Sequence, residues 1–472
     1  MKTVDFINAQ RIRNDLEKAK SSSLKEAKQV LEKAKEAKGL TPLETAILLE
    51  GANSDINLRN EIFKTAREIK EKIYGKRIVI FAPLYLSNYC VNNCVYCGYR
   101  RDNDICRRKL TTEEIQEEVK ILEKMGHKRL ALEAGEDLVN CPLDYILESI
   151  KVIYDTSEEM GSIRRVNVNI AATTVEDYQK LKAAGIGTYI LFQETYHQET
   201  YAKMHPSGPK ASYYYHTTAM DRAMEAGIDD VGFGVLFGLY DYKFEILSLL
   251  YHALHLEEVF GVGPHTISVP RLRPAQGVNL DTFPYLVNDD EFKLIVALLR
   301  LAVPYTGIIL STREDQNFRD EVISLGVSQI SAGSCTGVGA YKKELEMQNQ
   351  NPEKKENTAQ FEVGDHRTPD EILANLCNSG YLPSYCTACY RQGRTGDRFM
   401  QLAKTGEIGN VCQPNAILTF QEYLLDYAST ETRKIGEKAI AQFLDEISNE
   451  KIRDLTIKEL EKIRQGQRDL YF

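Results

Sequence analysis

The sequence predicts an α/β protein: a (β/α)8 TIM-type barrel with an N-terminal helical extension and a mostly helical C-terminal domain. Two observations predict it. Between residues 77 and 332, eight short β-like apolar runs alternate with longer helical patterns, the arrangement in which each crossover helix packs outside a parallel strand. On either side the pattern changes: residues 1–76 read as charged helices, and beyond Gly339 the chain turns polar and then helical again. The expected divisions are therefore 1–76, 77–340 and 341–472.

In chain order, a charged helical segment covers 24–38, and a second helix starts at Pro42 behind Thr41, a suitable cap with proline in the first turn. The break falls at Tyr74-Gly75-Lys76. Strand-like runs follow at 77–82, 129–133, 166–170, 188–193, 230–237, 265–270, 308–311 and 328–332. Helical patterns fill the gaps at 113–124, 143–159, 176–184, 212–225, 243–259, 289–301 and 316–325. Residues 342–364, rich in Asn, Gln, Glu and Lys, read as a mobile surface loop. A charged amphipathic helical pattern spans 431–468.

At 472 residues, 43% hydrophobic and 27% charged, the chain can bury a large core. Its net charge of -9 argues against general binding to nucleic acid or anionic membranes. Residues 1–10 lack the apolar centre of a signal peptide. Arg300 and Pro304 interrupt the best candidate for a membrane span, 294–310. The expectation is a cytoplasmic protein. Ten cysteines in such a chain point to metal or redox chemistry rather than a disulfide framework. Six form two groups, while Cys106, Cys141, Cys335 and Cys377 stand singly and read as inert thiols.

The first group, Cys90, Cys94 and Cys97, follows the first strand and so belongs to the face of the barrel where catalytic groups gather. Three thiolates in C-x3-C-x2-C spacing can hold three irons of a four-iron cluster and leave the fourth open to an outside molecule. Structural zinc prefers C-x2-C pairs and four closed ligands, and no fourth Cys or His lies near in sequence. Arg271 and Arg273 follow the sixth strand and Arg313 the seventh; guanidinium groups there suit a carboxylate, with a structural salt bridge as the alternative for each. The second group, Cys386, Cys389 and Cys412, has C-x2-C-x22-C spacing. Its spacing fits iron–sulfur binding or, with His366 or Cys377 as a fourth ligand, structural zinc. His265 starts the sixth strand and is expected at the bottom of the barrel, within reach of the second group if the C-terminal domain caps that end.

The first triad, with Tyr96 before its last cysteine, resembles the signature of the radical S-adenosylmethionine (SAM) enzymes. Glu133-Ala134-Gly135-Glu136 lies where those proteins tend to have a Gly-Gly-Glu-like stretch at the methionine amino group, with Ala134 replacing the first glycine. Tyr96, Gly135, Glu136 and Glu194 are thereby expected at SAM. Together with the run 268–274 and the C-terminal triad, the chain from about Tyr74 onward resembles the tyrosine lyase of [FeFe]-hydrogenase maturation, the HydG family. That resemblance implies a [4Fe-4S] cluster with SAM, and an auxiliary [4Fe-4S] cluster on the second triad carrying an additional labile iron that His265 ligates. It further implies cleavage of L-tyrosine to p-cresol and dehydroglycine, and conversion of the fragment to carbon monoxide and cyanide on that iron, with cysteine as a further iron ligand. A maturation scaffold GTPase and an electron donor such as ferredoxin or flavodoxin are the implied partners. The alternatives are a thiamine-biosynthesis-type tyrosine lyase that releases dehydroglycine, a non-catalytic iron–sulfur carrier, and another radical SAM enzyme with an auxiliary cluster.

Overall fold

The computed structural model describes residues 4–159, 161–347 and 359–472. Eight parallel strands close into a barrel: β1 (Arg77–Ser87), β2 (Arg129–Ala134), β3 (Arg165–Asn169), β4 (Tyr189–Glu194), β5 (Val231–Val235), β6 (Thr266–Ser268), β7 (Gly307–Leu310) and β8 (Gln329–Ser331). Closure is made by β8 on β1, with Val79 opposite Gln329 and Phe81 opposite Ser331. Each predicted run contributes one strand. They were legible because a strand covered on both faces reads as continuous apolar sequence; all five residues of β5 are buried.

Four helices, Ala9–Lys20, Leu24–Ala34, Pro42–Ser54 and Ile56–Tyr74, precede the barrel. The last packs on the barrel helix Asp289–Ala302. That helix is covered from two sides, and every residue from Leu294 to Ala302 is buried. Its start is fixed by a capping box in which Asn288 and Glu291 exchange side-chain and main-chain hydrogen bonds.

Three expectations need correction. The helix expected over 143–159 stops at Asp155, and the chain turns into the small hairpin Ser157–Glu158/Gly161–Ser162. The helix expected over 212–225 is broken into Tyr213–Thr217 and Ala219–Glu225, where Thr217 and Thr218 hydroxyls donate to the carbonyls of Tyr213 and Tyr214. The stretch expected to be a loop over 342–364 begins inside the helix Ala340–Met347; its residues 348–358 lie outside the described residues, and Ala359 to Gly364 return to the barrel mouth.

Sequence reading missed a ninth strand, β9 (Leu382–Ser384), which pairs with the first residues of β1, Arg77 opposite Leu382 and Val79 opposite Ser384. Because β2 begins its pairing only at Ala82, β9 occupies the edge of β1 below it. It thus joins the C-terminal region to the bottom of the barrel. The helix Gly409–Asp426 packs over β9, and Thr419 accepts from the Tyr385 amide at 3.2 Å. The expected helical pattern over 431–468 divides into Thr430–Asp445 and Glu450–Arg464. Among the described residues no helix is long and apolar enough to cross a membrane.

Candidate functional site

A cavity of about 220 Å³ opens at the C-terminal ends of the strands, lined among others by Cys90, Cys94 and Cys97. The cysteine loop is held by close backbone approach. A Cβ on Gly135 would lie 2.3 Å from the Tyr89 carbonyl oxygen, and one on Gly98 would lie 2.7 Å from that of Gln360. The thiols accept from neighbouring donors: Asn92 Nδ2 reaches Cys90 at 3.8 Å and the Tyr99 amide reaches Cys97 at 3.4 Å. Burial pushes Cys94 up to about 12 and Cys97 up to about 11. Cations at this site must therefore displace protons to be ligated.

The expected SAM residues surround the same space. Glu136 accepts from Asn92 Nδ2 at 2.5 Å, and burial raises its carboxyl above the usual range. Glu194 sits at the end of β4 with φ of 69°, a left-handed conformation uncommon for a side-chain-bearing residue. Its carboxylate accepts from Lys210 Nζ at 2.8 Å. Although burial opposes the charge, the Glu194 carboxylate holds the Lys210 ammonium above its ordinary range. Tyr96 lines the cavity, and its hydroxyl lies 2.8 Å from His205 Nε2.

The three arginines separate. Arg313 lines the cavity, half-buried, its guanidinium 3.3 Å above the Phe361 ring. Arg271, expected as a carboxylate binder, instead donates to Glu314 at 2.6 and 2.9 Å, to the Val287 carbonyl at 3.2 Å, and pairs with Asp289 at 2.7 Å. Arg273 lies 3.9 Å from Glu314. Neither Arg271 nor Arg273 lines the cavity. Glu314, beyond the end of the neighbouring strand β7, takes up the pairing capacity of Arg271, so the salt-bridge alternative holds for Arg271.

Several lining residues escaped the sequence reading: Glu133, Asn169, Lys210, Tyr85, Gln360 and Phe361. Glu133 accepts from Asn169 Nδ2 at 2.7 Å, and burial pushes its carboxyl up to about 8 against the Arg313 charge. Its place at the end of β2 was the available signal. Gln360 bonds Tyr85 at 3.0 Å across 275 positions, a pairing with no local signature.

A second cavity, about 60 Å³, lies at the opposite end of the barrel and is lined by Cys386, Cys389, Cys412 and His265. Cys386 and Cys389 follow β9, and Cys412 lies in the helix above it. His366 and Cys377 do not line this cavity. Among the described residues no three His, Cys, Asp or Glu side chains converge on a single metal ion; a cubane, by contrast, takes its thiolates at separate corners. Three thiols lining one cavity, with His265 beside them, form a donor set that could hold an iron–sulfur cluster. Hydrogen bonding with Cys412, aided by Arg394 and Arg77, pushes the Cys389 thiol down to about 6, while Cys412 is pushed up. His265 is 3.2 Å from the Tyr390 hydroxyl and 3.5 Å from Asp230, and burial lowers its pKa, keeping the imidazole neutral as a metal ligand requires. Around it Arg129 Nε, Arg165 Nε, Arg394 Nε, Asp230 Oδ2 and His265 Nδ1 are buried without hydrogen-bond partners, a concentration of unsatisfied polar groups that a bound group would relieve.

Comparison with known proteins identifies the family. Residues 84–250 match the Radical SAM superfamily and residues 268–382 the Biotin and Thiamin Synthesis associated domain. The 2-iminoacetate synthase of Escherichia coli (strain K12) is 32% identical over 356 residues, 75% of this chain and 89% of that protein. A crystal structure of HydG, a maturase of the [FeFe]-hydrogenase, shares 65% identity with a TM-score of 0.95, covering 99% of this chain and 100% of that one. The maturase HydG from Carboxydothermus hydrogenoformans shares 42% identity with a TM-score of 0.83, covering 97% and 99%. With both cysteine triads set at opposite ends of one such barrel, the chain belongs to the radical SAM superfamily and, within it, to the HydG family of [FeFe]-hydrogenase maturases.

Proposed function

We propose that the protein is a radical SAM lyase that cleaves the Cα–Cβ bond of L-tyrosine to p-cresol and dehydroglycine. The fragment is then converted to carbon monoxide and cyanide, which are collected on an iron that leaves as cargo for assembly of the hydrogenase cofactor. Superfamily membership brings a [4Fe-4S] cluster and SAM. The observation that carries the full reading is the presence of two cysteine-lined cavities at the two ends of one closed barrel. The named activity of the Escherichia coli relative, synthesis of 2-iminoacetate, yields the same fragment, dehydroglycine.

When bound, the first cluster and SAM supply an organic radical able to take hydrogen from a substrate. The chain's own residues do the rest. Cys90, Cys94 and Cys97 hold the cluster; Gly135, Glu136, Tyr96 and the Glu194–Lys210 pair hold and orient SAM. Arg313, braced on Phe361, binds the tyrosine carboxylate through its paired donors. Glu133, neutral at pH 7, offers a proton to the polar end of the substrate. At the other end Cys386, Cys389 and Cys412 hold the auxiliary cluster and neutral His265 ligates its labile iron. The Nε donors of Arg129 and Arg394, which have no hydrogen-bond partner, bind the anionic fragment.

An anaerobic assay of reconstituted protein with SAM, dithionite and tyrosine, following p-cresol, cyanide and carbon monoxide together, tests the reading. Wild type is expected to make all three, and Cys386→Ala/Cys389→Ala to keep p-cresol but lose carbon monoxide. Wild type that makes p-cresol and never carbon monoxide would favour the thiamine-type lyase, and absence of both p-cresol and 5′-deoxyadenosine from protein carrying both clusters would favour a carrier.

A further inference from the structure

Residues 468–472 belong to no helix or strand, yet polar contacts fasten them along the helix Gly409–Asp426, which bears Cys412. Arg468 makes a two-point pair with Asp426 at 2.5 and 2.7 Å. The Asp469 amide donates to Glu422 at 2.6 Å. The Phe472 amide donates to Asn415 Oδ1 at 2.8 Å, and Asn415 Nδ2 donates to the Phe472 main-chain oxygen at 3.3 Å. Asp426, Glu422 and Asn415 lie in that order along the helix toward Cys412. Glu422 and Asn415 are buried, so these are interior contacts, able to offset the entropy of holding an irregular run in place.

Asp469 ties in two further elements. Its carboxylate pairs with Arg164, just before β3, at 3.0 Å, and with Arg391, in the short helix that bears Cys389, at 2.6 Å. Arg164 is buried and also pairs with Glu422 at 2.8 Å. Asp469 has a φ of 63°, a left-handed conformation held here from both its amide and its carboxylate. The far end of the run meets Arg394. This residue lines the second cavity, and its amide donates to the Cys389 carbonyl at 2.8 Å. Its Nη2 donates to the Phe472 main-chain oxygen at 2.5 Å, while its Nε is buried without a partner among the described residues. A guanidinium is a rigid fork on a long side chain, so a bond at one Nη decides where the other donors face.

We propose that residues 468–472 form a strap that positions Arg394 beside the second cysteine triad, with Asp469 and Asn415 as its positioning residues. This rests on the reading of that triad as the seat of an auxiliary cluster. The strap touches neither thiols nor substrate; it acts through Arg394, keeping the Nε donor turned to an anionic ligand of the site. It also joins the three elements that build the site: the start of β3, the helix carrying Cys412 and the turn carrying Cys389. Outer partners of this kind orient the groups nearest a metal and set how firmly the metal is held.

The test compares reconstituted wild type with Asp469→Gly, Arg394→Gln and the double variant. Glycine accepts the left-handed backbone, so Asp469→Gly removes the carboxylate without straining the turn. Two quantities are read: the electron paramagnetic resonance spectrum of the reduced auxiliary cluster, and the rate at which a chelator draws iron from the second site. Each single variant should alter the spectrum and quicken iron loss by about tenfold. The double variant should match Arg394→Gln, because both changes remove the same contact. Asp469→Asn, which tolerates the same backbone and keeps the acceptor oxygen, should recover part of the wild-type spectrum. Formation of 5′-deoxyadenosine at the first site should stay at the wild-type level in Asp469→Gly, which shows that the barrel is intact. An unchanged spectrum and unchanged iron loss in Asp469→Gly would overturn the proposal. Additive effects in the double variant would do so too, since they would make the strap a general support of the C-terminal helices. Wild type whose iron and spectrum account for one cluster would remove the two-cluster reading, and the strap's role with it, before any variant is compared.

Discussion

Arg271 and Arg313 follow neighbouring strands and look alike in the sequence, yet their surroundings give them different work. Replacing Arg271 with Gln leaves Glu314, 1% exposed, buried without its bidentate partner. That should cost about 3 kcal/mol of stability, read as a lowered unfolding midpoint. Arg313→Gln removes a donor from the cavity instead; p-cresol formation should fall by about a hundredfold with the fold intact and SAM still bound. The arginines' positions were legible, but their partners were not, because Glu314 and Phe361 reach them through the fold. Glu133 gives a pH signature. Its folded pKa, about 8, lies above the ordinary 4.5, so the folded state holds its proton more tightly than the unfolded chain does. Its stabilising contribution is full below about pH 4.5 and is lost as pH rises through 8. Urea unfolding should therefore show wild type losing stability relative to Glu133→Gln across that window.

At the scale of elements, the barrel strands announced themselves and β9 did not. A strand buried on both faces must be apolar throughout, whereas Leu382-Pro383-Ser384 is three residues long and contains a proline. Proline cannot donate to a ladder, which removes it from any sequence-based list of strands; β9 tolerates it because β1 is its single neighbour and it lies at the edge. The helix 212–225 was misread for a related reason. Apolar periodicity continues across Thr217 and Thr218, but their hydroxyls compete for backbone carbonyls and the helix breaks there. The cysteine spacings were fully legible, since ligand spacing is a local property. That both triads belong to one barrel depended on β9, which was not.

For the molecule as a whole, the two cavities occupy successive inward layers of the same strands. Val79, Gly307 and Gln329 line the lower one, and Phe81, Ile309 and Ser331, two residues further along each strand, line the upper. If the fragment passes between them through the barrel, Val79→Phe should preserve p-cresol and lose carbon monoxide, measured on one anaerobic sample. Parallel loss of both products would remove the support for an internal passage. β1 has a further consequence, for the order in which the protein can be built. Its upper end leads into the first cysteine loop, and its lower end is the rail on which β9 brings in the second. A ribosome has delivered the whole first triad by residue 97, but the second triad is incomplete until residue 412 and has no seat until β1 is in place. Synthesis from the N-terminus therefore fixes a sequence of events: the barrel's first strand must stand before the last three ligands can be gathered.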